Sequence, residues 1–178
     1  MDKTACAITG HRPKSFPWKY DEGNPNCVLL KEFLAAQISK LVDRGVTDWF
    51  SGMALGVDVW SAEIVLFLRK NNPALRIHCI LPCEGQEDKW SVSEQERYHA
   101  VLRRADEVFY VNRAYSPKCM LERNRYMVDH ASILLAVYNG VQRSGTGATI
   151  RYAQRLGREI VVINPMSRTV IYESQRFV

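Results

Sequence analysis

A chain of 178 residues, 47% hydrophobic and 24% charged, is long enough to bury one real core, and its composition excludes a disordered or fibrous protein. No apolar run reaches membrane-spanning length, and the start Met1-Asp2-Lys3-Thr4 lacks signal-peptide architecture, so a cytoplasmic location without membrane contact is expected. The net charge of +5 suits anionic ligands of any size, but the basic residues are spread over helical patterns without an aromatic and basic strip, so nucleic acid is not the expected partner.

Short apolar or β-branched runs alternate with longer helical patterns along the whole chain, which is the signature of βαβ units and a parallel sheet. The first strand is expected over Ala5–Thr9. Leu30, Phe33, Leu34, Ile38, Leu41 and Val42 then recur at helical spacing, and Gly45 is a suitable stop. A strand over Asp48–Ser51 leads into the stripe Val57, Trp60, Ile64, Val65 and Leu68, which ends at Asn71-Asn72-Pro73. After a strand at Arg76–Leu81, Ser93 and Glu96 have capping-box spacing and open a helix to about Arg104. Strands at Glu107–Val111, Ser132–Val137 and Glu159–Ile163 are separated by a helix from about Lys118 to His130 and another that follows Gly147 and runs to about Leu156. The expectation is an α/β fold: one Rossmann-like, three-layer domain over residues 1–165 with a mainly parallel, doubly wound sheet of about six strands. Residues 166–178 form a C-terminal extension, in which Val170-Ile171-Tyr172 could add an edge strand or pack on a partner such as a second copy.

Right-handed crossovers bring every strand-to-helix turn to one sheet edge, where open α/β sheets bind ligands. Three such turns are rich in glycine or polar groups. In Ser51-Gly52-Met53-Ala54-Leu55-Gly56-Val57-Asp58, Gly52 and Gly56 can open the backbone to a phosphate, while Asp58 can reach a sugar hydroxyl. In Ser144-Gly145-Thr146-Gly147-Ala148-Thr149, two glycines and the Ser144, Thr146 and Thr149 hydroxyls crowd a helix start, more than a plain connection needs. In Thr9-Gly10-His11-Arg12-Pro13, the planar Arg12 fork suits a phosphate, and His11 is a proton donor or a polar turn residue. Arg123 and Asn124 sit near the start of a helix, facing either the crevice or solvent, and Trp90 lies in a polar stretch where it could stack on a base. Two of the four tryptophans are expected in the core. Cys6, Cys27, Cys79, Cys83 and Cys119 are odd in number and scattered, which suits reduced thiols; no metal site and no cofactor is expected.

Thr9–Pro13, Ser51–Asp58 with Trp60 and Glu63, Lys89-Trp90, Arg123-Asn124 and Ser144–Gly147 together resemble the YpsA-like family of the SLOG superfamily, which also holds the DprA/Smf and LOG proteins. The resemblance covers roughly residues 4–165. It implies a Rossmann-like domain with a nucleotide-derived ligand, which could be NAD- or ADP-ribose-related here; some relatives bind nucleotide or NAD-derived signals and others single-stranded DNA. LOG phosphoribohydrolases carry P-G-G-x-G-T-x-x-E, with the glutamate and an upstream arginine implicated in N-glycosidic cleavage. Gly145 and Gly147 match two of those glycines and Arg123 could match the arginine. Ala148 stands in place of the threonine and Arg151 in place of the glutamate. A cation cannot stabilise an oxocarbenium-like centre or activate water as a carboxylate does. The leading expectation is therefore binding or sensing of a nucleotide-like small molecule. The alternatives are a nucleotide N-glycoside hydrolase using Asp58 or Glu63, and a single-strand DNA binder or adaptor.

Overall fold

Short apolar runs become strands in the computed structural model of the protein, which describes residues 4–173. The strands are β1 (Thr4–Gly10), β2 (Val46–Ser51), β3 (Arg76–Leu81), β4 (Glu107–Tyr110), β5 (Ile133–Val137), β6 (Glu159–Ile163) and β7 (Val170–Glu173). The helices between them are α1 (Pro25–Asp43), α2 (Val57–Leu68), α3 (Val92–Leu102), α4 (Cys119–Asp129) and α5 (Gly145–Arg155). They pair in the order β4-β3-β2-β1-β5-β6-β7. All neighbours are parallel except β6 and β7, which run antiparallel with Ile163 opposite Val170. The sheet thus has seven strands rather than about six. Val170–Glu173 supplies the extra edge, and the Tyr172 hydroxyl donates to Gln37 Oε1 of α1 at 2.7 Å.

Successive side chains of a strand face opposite ways, and both faces here are apolar. Cys6, Ile8, Trp49 and Ile77 pack with Leu30, Leu34 and Ile38 of α1, Trp60 and Val65 of α2, and Tyr98 of α3. Ala7, Phe50, Ile80 and Leu134 pack on the other side with Met127 and Val128 of α4 and Ile150 and Ala153 of α5. The result is a three-layer, doubly wound α/β domain. Three tryptophans, Trp18, Trp49 and Trp60, are buried where two were expected. Truncating a wholly buried one such as Trp49 to alanine costs about 3–5 kcal/mol.

Helix starts follow their caps. Asn24 accepts from the Asn26 N–H ahead of α1, with Pro25 in the first turn, where its missing N–H costs nothing. The capping box expected at Ser93 and Glu96 forms two residues earlier. Ser91 Oγ accepts from the Glu94 N–H at 3.3 Å, and the Glu94 carboxylate accepts from the Ser91 N–H at 3.1 Å. The two boxes overlap in sequence, and the earlier register is the one whose reciprocal bonds both close. Helix α5 likewise starts at Gly145, not after Gly147, because Ser144 Oγ takes the Gly147 N–H at 3.0 Å.

Candidate functional site

The strand order reverses between β1 and β5, so the β1 turn lies between the turns that follow β2 and β5. A crevice of about 260 Å³ opens there. Of the residues singled out in the sequence, Thr9, Gly10, His11, Arg12, Asp58, Arg123, Asn124, Ser144, Gly145 and Thr146 line it. Lys14, Ser15, Ala54 and Met120 line it as well and were not anticipated. Lys14 and Ser15 enter because Pro13–Ser15 curls into a 3-10 turn directly after Arg12. The basic residue two places beyond Arg12 was the only signal for this in the sequence.

The other proposed site residues are placed differently. Ser51 is buried and works inside its turn, donating to the Asp58 carbonyl at 3.0 Å and accepting from the Met53 N–H at 3.2 Å. Gly56 takes φ +90° at the start of α2, where a Cβ would meet Pro13 Cδ at 3.0 Å. Thr149 lies one turn behind Gly145, donating to its carbonyl at 2.8 Å and accepting from Asn124 Nδ2 at 2.9 Å. A Cβ on Gly147 would meet the Gln142 carbonyl at 2.9 Å, so its closeness is to its own loop, whereas Gly145 faces open space. Glu63 points into the groove between α1 and α2, where Arg97 Nη2 donates to it at 2.6 Å. Trp90 lies outside the crevice on an adjoining cavity. Arg151 ties back its own loop by donating to the Gln142 carbonyl at 2.9 Å.

At the crevice floor, Arg123 is buried although it comes from the first turns of α4. Its Nη1 donates to the Gly52 carbonyl and its Nε to Asn124 Oδ1 at 2.8 Å. Gly52 is required for this approach, because a Cβ there would occupy the space of the guanidinium. Asp58 Oδ2 stands 3.9 Å from Arg123 Nη1 and accepts from the Ala54 N–H at 3.2 Å. Burial pushes the Asp58 carboxyl up and the Arg123 guanidinium down, and each partner opposes the shift of the other. Arg12 and Lys14 form no ion pair among the described residues; the Arg12 guanidinium donates through Nη2 to Met120 Sδ at 3.7 Å. The crevice is therefore lined by three cations against one carboxylate.

Backbone donors add to this charge. Ser144 caps Gly147, which leaves the Gly145 and Thr146 N–H groups at the positive end of α5 without an intrahelical acceptor. His11 closes the rim, with its ring stacked on Tyr138 at 5.7 Å and its Nε2 accepting from the Asn139 N–H at 3.1 Å. Burial lowers its pKa, in keeping with an unprotonated acceptor nitrogen. No cluster of His, Cys, Asp or Glu among the described residues is placed to hold a metal ion, and no helix there is long and apolar enough to cross a membrane.

The strand order, the reversal point and a glycine-walled, cationic crevice define a Rossmann-like, doubly wound domain with a site at its switch point. The YpsA model, described as the YspA SLOG family, matches residues 6–165, and the chain belongs to that family. It is 34% identical over 138 residues to a UPF0398 protein of Bacillus pumilus (strain SAFR-032), covering 75% of this chain and 72% of that protein. It is 31% identical over 157 residues to the SPbeta prophage-derived protein YoqJ of Bacillus subtilis (strain 168), covering 80% of this chain and 91% of YoqJ. The fold is shared with DNA processing protein A from Helicobacter pylori, solved in a study of its single-stranded DNA binding mode: the TM-score is 0.60 at 18% identity, covering 98% of this chain and 66% of that one. It is also shared with DprA from Streptococcus pneumoniae at TM-score 0.58 and 12% identity, covering 92% of this chain and 51% of that one. The chain thus spans just under two thirds of the first and about half of the second.

Proposed function

We propose that the crevice binds the phosphate of a nucleotide or nucleotide-derived small molecule, and that the protein acts by binding or sensing it. One observation carries this reading: Arg12, Lys14 and buried Arg123 face a single carboxylate beside two uncapped N–H groups at the start of α5. A phosphate monoester would balance the excess charge and accept those hydrogen bonds. Among the described residues no carboxylate pairs with the fork of Arg12, which suits a bidentate contact. The Asp58 oxygen nearest Arg123 is engaged by that residue and by the Ala54 amide, so it serves better as a counter-charge than as a proton donor. No carboxylate enters from α5, where Arg151 holds its own loop. N-Glycoside cleavage is the less supported reading.

Thermal unfolding with ribose 5-phosphate, AMP, ADP-ribose and NAD tests the proposal. A ligand at about 100 times its Kd raises stability by about 2.7 kcal/mol. A rise with at least one of these compounds that Arg12→Ala removes is the expected result, and no rise with any would overturn the reading. Chromatography for released base on the same samples separates binding from turnover. A second reading, single-stranded DNA in the same crevice, draws on the fold shared with the Helicobacter pylori protein. It requires affinity that falls steeply with salt, and an oligonucleotide that fails to bind at low salt excludes it.

A further inference from the structure

Beside the crevice lies a second cavity of about 150 Å³, walled by Arg12, Pro13, Lys14, Tyr20, Leu55 and Trp90. Arg12 and Lys14 line both spaces, so they form a partition between a cationic compartment and a mainly apolar one. The apolar walls come from three separate segments. Tyr20 lies in the stretch between β1 and α1 and is 58% exposed, a large aromatic area left unpacked. Leu55 sits in the turn between Met53 (φ +55°) and Gly56 (φ +90°), where it is half-buried. Trp90 is half-buried, with its ring edge-on to Tyr98 at 5.3 Å.

The segments that carry the two aromatic walls are anchored by hydrogen bonds. Gln95 Nε2 donates to the Trp90 carbonyl at 3.1 Å and to the Glu87 carbonyl at 3.2 Å, fixing the turn that carries the indole. Two residues past Tyr20, Glu22 accepts from Trp60 Nε1 at 3.0 Å, from Arg97 Nη1 at 2.6 Å and from Lys31. Two aromatic rings and a leucine held around a small gap, with cations at its edge, form a slot for a flat, nitrogen-bearing ring: the rings offer stacking surface and the cations meet polar ring edges.

Resting on the reading of the crevice as a phosphate site, we infer that this cavity is the ring-binding half of the same site. Its ligand is then a planar heteroaromatic base joined through a sugar to a phosphate, with the sugar crossing the Arg12–Lys14 partition. The base confers preference and the phosphate confers attachment. Tyr20 and Leu55, which carry no charge and do not line the crevice, act on ring-bearing ligands alone.

Titration calorimetry with ribose 5-phosphate, AMP and nicotinamide mononucleotide tests this in wild type and in Tyr20→Ala, an exposed position where truncation spares the core. Wild type is expected to bind at least one of the two ring-bearing compounds about tenfold or more tighter than ribose 5-phosphate, from the usual strength of base stacking on an aromatic side chain. Tyr20→Ala is expected to lose that advantage while holding ribose 5-phosphate as wild type does. Trp90→Leu provides a second truncation of the ring wall, with the same expected outcome. Equal wild-type affinity for all three compounds, or an advantage that survives both variants, overturns the inference while leaving the phosphate reading intact. Absence of binding by all three overturns both.

Discussion

Arg123 and Gly52 meet across the crevice floor: the guanidinium of one lies in the space a side chain on the other would fill, and donates to its carbonyl. The glycine of the β2 turn is thus explained by a partner on α4, far away in sequence. Gly52→Ala is expected to displace Arg123, lower the unfolding midpoint and weaken binding of phosphate compounds. Gly145→Ala faces open space and is expected to leave stability near wild type. Urea denaturation and titration of both variants with ribose 5-phosphate check this; equal behaviour of the two would refute it.

Asp58→Asn leaves Arg123 buried without a counter-charge. Removing one member of such a pair costs about 3–5 kcal/mol in urea unfolding, and the combined variant Asp58→Asn/Arg123→Met is expected to recover a measurable part of that loss. If the double variant is no more stable than Asp58→Asn, the coupling argued for this pair is absent.

His11 sets an acid limit. Burial lowers its pKa below the ordinary value of 6.5, so the unfolded chain binds more protons than the folded one once the pH drops below that value. The stability it contributes is fully present above pH 6.5 and is lost as the pH falls toward the folded-state value. His11→Asn is expected to flatten stability against pH in this window, as read from urea midpoints; an unchanged slope would show that His11 does not set it.

Glu22 sets a second, lower limit. Burial alone would raise its carboxyl, but hydrogen bonds from Arg97, Lys31 and Trp60 outweigh burial and hold it down at about 2. The stability it contributes is present above its ordinary value of 4.5 and is lost as the pH falls through about 2. Glu22→Gln is expected to destabilise at pH 7 and to loosen the segment carrying Tyr20, seen as faster amide exchange around residues 19–22. Exchange as slow as in wild type would show that the segment holds without it.

All five cysteines are buried and free of disulfides, and burial pushes the Cys79 thiol up to about 12 and the Cys27 and Cys83 thiols up as well. Iodoacetamide at pH 8 is expected to modify the native protein slowly and all five sites rapidly in urea. Mass spectrometry gives the count, and fast native labelling would contradict the burial.

The sequence made the six parallel strands legible because each is a short apolar run bounded by turn residues, and strand order then put the three polar turns on one edge. What it concealed was depth. Arg123 stands in the polar run Glu122–Arg125, a pattern that reads as a solvated helix start, and only the packing of α4 against the β2 turn buries it. Glu63 occupies an apolar helix face, and its engagement by Arg97 depends on the docking of α3 beside α2. Ser51–Asp58 and Ser144–Thr149 both read as ligand turns, yet several of their polar groups are used internally. Local spacing cannot separate a hydroxyl that caps its own turn from one that faces a ligand.

The carboxylate of Glu22 bears on more than acid tolerance. By joining α1, α2 and α3 to the stretch that holds Tyr20, it fixes one jaw of the cavity beside the crevice before any ligand arrives. A jaw set during folding does not have to be ordered on association, so selectivity would rest on a fixed shape rather than on closure. Free and occupied protein should then superpose closely, and a ligand should associate at a rate governed by encounter, with little sign of a slow conformational step.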